Sequence, residues 1–338
     1  MRAFDRRPLG RSGIMTTVMG FGSAPLGDLF DILDEDQAHA TVTAAYDGGI
    51  RLFDTAPLYG HGLAEHRLGC VLRQKPRDHF LLSTKVGRVY RPRGPGEAWD
   101  GAGYKGGLPF IPTFDYSYDG TMRSVEQSLL RLGTDRLDIL LIHDVDVWTH
   151  GREAIDQRFS EAMEGAYRAL DSLRSQKVVS AIGVGINESD MCLRFARAGD
   201  FDCFMLAGRY TLLEQGAMDA IFPECERRGI GILLGGVFNS GILAGGKAYN
   251  YKEAPLHITT LVRRIEEVCT AYGVSLAAAA LHFAAAHPVV SSLVLGAVKP
   301  DEIRRNTVAL DAVIPPTLWA DLKSEGLLRR DAPVPPKA

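Results

Sequence analysis

Three apolar runs in this 338-residue chain each end on a different ionisable residue. Ile50 to Phe53 runs into Asp54, Phe80 to Thr84 into Lys85, and Leu137 to Ile142 (broken only by Asp138) into His143. Just past Asp54, Tyr59 stands in a loop punctuated by Pro57 and Gly60. A carboxylate closing a buried strand is costly unless a cation or hydrogen-bond donors meet it. Lys85 and His143, at the ends of two further strands, are the natural company. An acid, an amine, an imidazole and a phenol gathered at one edge of a parallel sheet would make a site for proton transfer.

The elements that must position them read as an alternation. Residues 7–17 carry a turn signature, Pro8-Leu9-Gly10-Arg11-Ser12-Gly13, between short β-prone pieces, which predicts a hairpin. Strands are then predicted at 18–22, 50–53, 80–85, 137–143, 179–185, 203–206, 231–235 and 290–295, with helical patterns between them. Asp34-Glu35-Asp36-Gln37 offers a helix start and Gly48-Gly49 a stop. A polar loop holding Trp148 is expected to lead into a helix over 160–176. Eight strand-then-helix units imply a parallel sheet, and the number fits a closed barrel better than an open one. The expected fold is α/β, a (β/α)8 TIM barrel with an N-terminal β-hairpin and extra C-terminal helices, all one domain over residues 1–338. Active sites of such barrels lie at the C-terminal ends of the strands, where Asp54, Lys85 and His143 fall. Residues 87–117, rich in Gly, Pro and aromatic residues, read as a long loop without regular structure on the substrate side. A loop of that length in a compact domain is usually functional or disordered, and its aromatic content argues against disorder.

The bulk numbers exclude several classes. A net charge of −3 and 23% charged residues give no electrostatic reason to expect nucleic acid or an anionic membrane as partner. The five cysteines lie apart with no metal-ligand spacing, so no metal is expected and free thiols are the simplest account. No apolar run approaches transmembrane length and the N-terminus has no export signal, which points to the cytoplasm. Two glycine-rich loops, 235–246 and 296–300, follow the seventh and eighth strands, where phosphate groups commonly dock.

With these residues placed, the chain resembles the aldo-keto reductase family over essentially its whole length. The resemblance is carried by Asp54-Thr55-Ala56 with Tyr59-Gly60, by Ser83-Thr84-Lys85, and by Leu141-Ile142-His143 in that order. It implies a nicotinamide cofactor bound without a dinucleotide glycine fingerprint, and Gly183-Val184-Gly185 indeed lacks the third glycine. It also implies roles: Tyr59 transfers the proton, Lys85 lowers its pKa, Asp54 pairs with Lys85, and His143 orients the substrate oxygen. A free phenol titrates near ~10, so a nearby cation would bring it closer to the working range. For the cofactor the resemblance points to Ser23, Asp54, Asn187, Gly236, Phe238, Ser240, Leu295, Gly296, Ala297, Lys299, Glu302 and Asn306. Asn187 has an alternative reading as a helix N-cap. The family's nicotinamide-stacking Tyr falls on Gly235, leaving that partner unassigned. The Lys, Ser and Arg that would grip a 2′-phosphate fall on Gly296, Ala297 and Glu302, and a carboxylate there would repel the phosphate. NAD is therefore expected. NADP is possible, because the flexible ammonium of Lys299 nearby could still serve.

Ala207 to Leu213 and Gly236 to Gly241 resemble the branch that holds aldose 1-dehydrogenases for L-fucose, D-threo-aldoses and L-galactose, with pyridoxal 4-dehydrogenases close by. The expected activity is oxidation of an aldose at C1 to its lactone, with Tyr59 as proton acceptor. Oxidation of pyridoxal to its lactone is the alternative, and NADPH-dependent reduction of aldehydes or ketones a further one. From another class, the chain could be a cofactor-binding redox-sensing subunit. Tyr59, His143, Trp148 and Trp99 are the expected pocket residues, and the expected partner is a small sugar or pyridoxal-like molecule. A monomer or small homo-oligomer fits these readings.

Overall fold

The computed structural model describes residues 2–98 and 101–336. Eight parallel strands, paired in chain order, close into a barrel. They are β1 (Met19–Gly22), β2 (Leu52–Asp54), β3 (Leu81–Val86), β4 (Ile139–His143), β5 (Ala181–Ile186), β6 (Cys203–Ala207), β7 (Gly231–Gly235) and β8 (Val290–Gly296). The (β/α)8 expectation holds.

The two-residue period of a strand decides what points into the barrel. Leu52, Leu81, Ile139, Leu141, Ala181, Cys203, Met205, Leu233 and Val294 form one apolar cluster inside it. The other set, among them Phe53, Leu82, Leu140, Ile142 and Ile182, packs outward in the larger cluster shared with the helices. Continuing the inward set toward the C-terminal ends leads from Leu52 to Asp54, from Leu81 to Ser83 and Lys85, and from Leu141 to His143. The site is thus the top layer of the barrel interior, where apolar residues give way to ionisable ones.

The opposite end is plugged by the hairpin, Arg6–Pro8 paired antiparallel with Met15–Thr17. Leu9 and Ile14 join the interior cluster. Gly10, at φ +51°, lies so close to the β7 entrance that a Cβ would stand 2.4 Å from the Gly231 nitrogen.

Two local expectations need correcting. Residues 87–117 are not without regular structure: Arg88–Pro92 pairs antiparallel with Phe110–Phe114 in a two-stranded ribbon. The run of Gly and Pro between those segments obscured their β-prone residues, and Pro112 within the second strand weakened the pattern further. Trp148 does not lie in a polar loop; it occupies the first turn of a helix, Val147–Glu161, whose N-cap Asp146 accepts from the Thr149 N–H. That helix runs on through a π-turn at Ala162–Tyr167 into Arg168–Ser175, and begins well before the expected residue 160. Gly151, at φ +75°, breaks its regular pattern early.

His287 gives the fold a pH dependence. It is buried with its ring 4.6 Å from that of Phe222 and 5.6 Å from that of Tyr210, and burial lowers its pKa to about 4. An unfolded imidazole takes up its proton near ~6.5, so over that interval the unfolded chain binds more protons. Stability is therefore expected to fall as pH drops from about 6.5 toward 4. The melting temperature of His287→Gln should decline less over that range than that of the parent protein; an equal decline would acquit this residue.

Candidate active site

Lys85, 1% exposed, donates from Nζ to Asp54 Oδ2 at 2.7 Å and to the Thr55 carbonyl at 2.8 Å. The second Asp54 oxygen accepts from Ser83 Oγ at 2.9 Å. The register explains the meeting, because β2 places Asp54 opposite Ser83 on β3. The same ammonium lies 4.8 Å from the centre of the Tyr59 ring. Across from it the His143 ring stands edge-on to Tyr59, centroids 6.0 Å apart. Tyr59 is held by its backbone, donating to the Ala56 carbonyl and accepting from Ala64 at the start of the helix Leu63–Leu72. Gly60 lets this turn touch the β1 loop, where a Cβ would come within 2.6 Å of the Gly27 carbonyl oxygen. The structure brings all four expected residues together.

The electrostatics qualify one expected role. Burial raises the Tyr59 pKa well above its usual value, Asp54 and Asp144 push it the same way, and Arg88 opposes them. The Lys85 charge is met by Asp54 at contact distance and does not reverse this. In the protein alone Tyr59 is a phenol, not a phenolate. His143 moves the other way: burial, then the Arg88 and Lys85 charges, hold its pKa well below 6.5, so it is a neutral imidazole. Burial also raises the Asp54 carboxyl, with Lys85 and Ser83 opposing.

Two cavities open at this cluster. One, of about 480 Å³, is lined by Tyr59, Lys85, His143 and Trp148 together with Leu29, Arg88, Tyr104, Phe114, Asp144 and Asn187. The other, of about 1110 Å³, is a groove running from Asp54 and Tyr59 past Gly236, Phe238 and Ser240 to Leu295, Gly296, Ala297, Glu302 and Asn306. A long groove that starts at Tyr59 and ends at a helix start suits an extended dinucleotide. Gly236, at φ +61°, and Gly296, where a Cβ would stand 2.8 Å from Pro25 Cγ, keep its floor free of side chains. Ser23 Oγ beside it is buried without a hydrogen-bond partner among the described residues.

Other expected cofactor residues fall differently. Asn187 lines the smaller cavity rather than the groove and does not cap the helix Ser189–Ala198, whose N-cap position is Glu188. Its backbone carbonyl accepts from Arg209 Nε at 2.7 Å. Lys299 is exposed and lies outside the groove lining. Glu302 lines the groove, but its Oε2 accepts from the Val298 N–H at 2.7 Å, so the carboxylate also ties the loop down. Trp99 lies outside the described residues.

Tyr104 lines the smaller cavity from the segment expected on the substrate side, whereas the sequence does not single out Arg88, Asp144 and Tyr251 there, or Arg304 and Arg305 along the groove. Asp144 directly follows His143 at a strand end, a signal that was readable. Arg88 and Tyr104 lay in the segment read as loop, and Tyr251 follows Asn250 in the β7 loop. Among the described residues no cluster of His, Cys, Asp and Glu could hold a metal ion, and no single helix is long and apolar enough to cross a membrane.

The model of the Aldo/keto reductase family matches residues 18–325. A pyridoxal 4-dehydrogenase from Microbacterium luteolum is 40% identical, over 97% of this chain and 99% of its own length. A D-threo-aldose 1-dehydrogenase from a Pseudomonas species is 38% identical, over 94% and 96%. Among solved structures, the holo form of an aldo-keto reductase from Bacillus halodurans superposes with a TM-score of 0.74 at 24% identity, covering 99% of each chain, a likeness of fold.

Proposed function

The chain belongs to the aldo/keto reductase family, and from that premise we propose that it is an NAD-dependent dehydrogenase oxidising the cyclic hemiacetal of an aldose at C1 to the lactone. The observation that carries this reading is the buried Lys85–Asp54 pair beneath Tyr59, with neutral His143 facing the same ring. A nicotinamide cofactor, which Gly236, Phe238 and Ser240 along the groove would hold, would supply the hydride acceptor for C1. Tyr59 oxygen, once deprotonated, takes the proton of the C1 hydroxyl as the C1–O double bond forms. His143 donates a hydrogen bond to that oxygen and balances its developing charge without itself being charged. Lys85 and Asp54 hold the phenol's position and keep a cation beneath it.

The test is the product. Incubation with NAD and L-fucose should yield the sugar lactone in step with NADH. Formation of an open-chain acid without a lactone intermediate, or an alcohol from added aldehyde, would point elsewhere in the family.

The NAD preference rests on Gly296 and Ala297, which offer no side-chain donors to a 2′-phosphate, and on Glu302 in the groove. Arg305, 4.0 Å from Glu302, acts against it. Glu302→Ala is expected to raise kcat/KM with NADP relative to NAD by ~10-fold, the order of one like-charge repulsion removed near the surface, and Arg305→Ala to lower it. A ratio unmoved by both would place the discrimination elsewhere.

A second reading, oxidation of pyridoxal as its hemiacetal, is favoured by the 40% identity to a pyridoxal 4-dehydrogenase and by the aromatic walls Tyr104, Phe114 and Trp148. It uses the same proton and hydride transfers on a flat ring.

A further inference from the structure

Asp144 is the acidic side chain that lines the smaller cavity, and nothing above gives it a task. It sits directly after His143 with its backbone at φ +55°, a conformation uncommon outside glycine and often kept where function demands it. Its Oδ2 is ion-paired with Arg88 Nη2 at 2.7 Å, the two side chains 12% and 8% exposed. The other nitrogen of that guanidinium, Nη1, lies 3.3 Å from His143 Nδ1. A guanidinium can only donate, so Nδ1 must accept, and the proton of the neutral imidazole sits on Nε2. Asp144 Oδ1 lies 3.4 Å from that Nε2. One Arg88 fork therefore holds a donor, His143 Nε2–H, and an acceptor, Asp144 Oδ1, side by side at the cavity wall.

Two groups this close together can be met at once by oxygens on neighbouring carbons of one ring. If the reacting oxygen accepts from His143, a hydroxyl on the next carbon is in place to donate to Asp144. Resting on the proposed aldose oxidation, we propose that Asp144 is a substrate-recognition residue that accepts a hydrogen bond from the 2-hydroxyl of the sugar. The pocket thereby selects 2-hydroxy aldoses over their 2-deoxy counterparts. Arg88 is the positioning residue that aligns both groups. The 3-hydroxyl of pyridoxal stands one atom further from the reacting carbon and matches this pair less well.

The experiment compares kcat/KM for D-arabinose with that for 2-deoxy-D-ribose, which is the same sugar without its 2-hydroxyl. Each comparison is made within one protein, so the folded fraction cancels, and the intrinsic reactivity difference between the sugars cancels between proteins. The parent protein should prefer D-arabinose by ~10- to 100-fold, as expected for a hydrogen bond to a charged group. Asp144→Asn, which keeps the shape, should reduce that preference to a few-fold. The double variant Arg88→Met with Asp144→Leu, which leaves neither charge uncompensated, should do the same. A preference retained in both variants, or none in the parent, overturns the role of Asp144 while leaving the aldose reading intact. Oxidation of no aldose at all overturns both.

Discussion

Tyr59→Phe is expected to lower the oxidation rate by ~10²–10⁴-fold, the range supplied by a positioned general base, with little change in melting temperature. The stability forecast follows from the structure: no hydrogen bond to the Tyr59 hydroxyl is present among the described residues, and burial disfavours its ionised form. Removing the oxygen leaves the ring contacts with Lys85 and His143 in place. The pH profile gives a second reading of the same group. Because the phenol's pKa is raised, the proton-accepting form grows as pH rises through the alkaline range. Oxidation should therefore accelerate with pH there, reduction of a carbonyl should slow, and the residual rate of Tyr59→Phe should lose this dependence. A variant that keeps most of its activity would remove Tyr59 from the chemistry.

Lys85→Met is expected to damage stability as well as turnover. Asp54, 2% exposed, would keep one hydroxyl donor, Ser83, and no cation. Removing one partner of a buried ion pair costs about 3–5 kcal/mol, mostly the penalty for the charge left behind. Part of that cost is avoided if Asp54 takes up a proton, which its raised pKa favours. The paired change Lys85→Met with Asp54→Asn removes both charges and should recover much of the stability, measured by denaturant unfolding, but none of the activity. Recovery of turnover along with stability would mean that the cation has no part in catalysis.

The barrel was legible in the sequence because its signal is redundant. Eight apolar runs alternate with helical patterns, and a misplaced strand end such as residue 50 for Leu52 does not disturb the count. The four candidate residues were legible for a related reason: each terminates an inward-facing row, or follows one closely, as Tyr59 does. The residues that tune them were harder to see. Arg88 and Tyr104 reach the cavity from the ribbon segment, whose Gly and Pro content masked its strands. Whether Arg88 meets His143 depends on how that ribbon folds back, which no spacing along the chain reveals. Burial and the carboxylates of Asp54 and Asp144 raise the Tyr59 pKa in the protein alone, a balance that no spacing along the chain reveals. At the far end of the groove, position along the chain singles out Glu302 but not Arg304 and Arg305, only one turn along the same helix and also facing the groove.

The most direct measurement of the central claim is the initial rate of NADH and NADPH formation at mildly alkaline pH with L-fucose, D-arabinose, L-galactose and pyridoxal. NAD-dependent oxidation of at least one sugar is expected, and its absence in Tyr59→Phe. Pyridoxal alone as substrate would keep the proton-transfer chemistry and transfer the role to the second reading. No oxidation of any of them, with NADPH-driven reduction of simple aldehydes instead, would contradict both the cofactor and the substrate assignment.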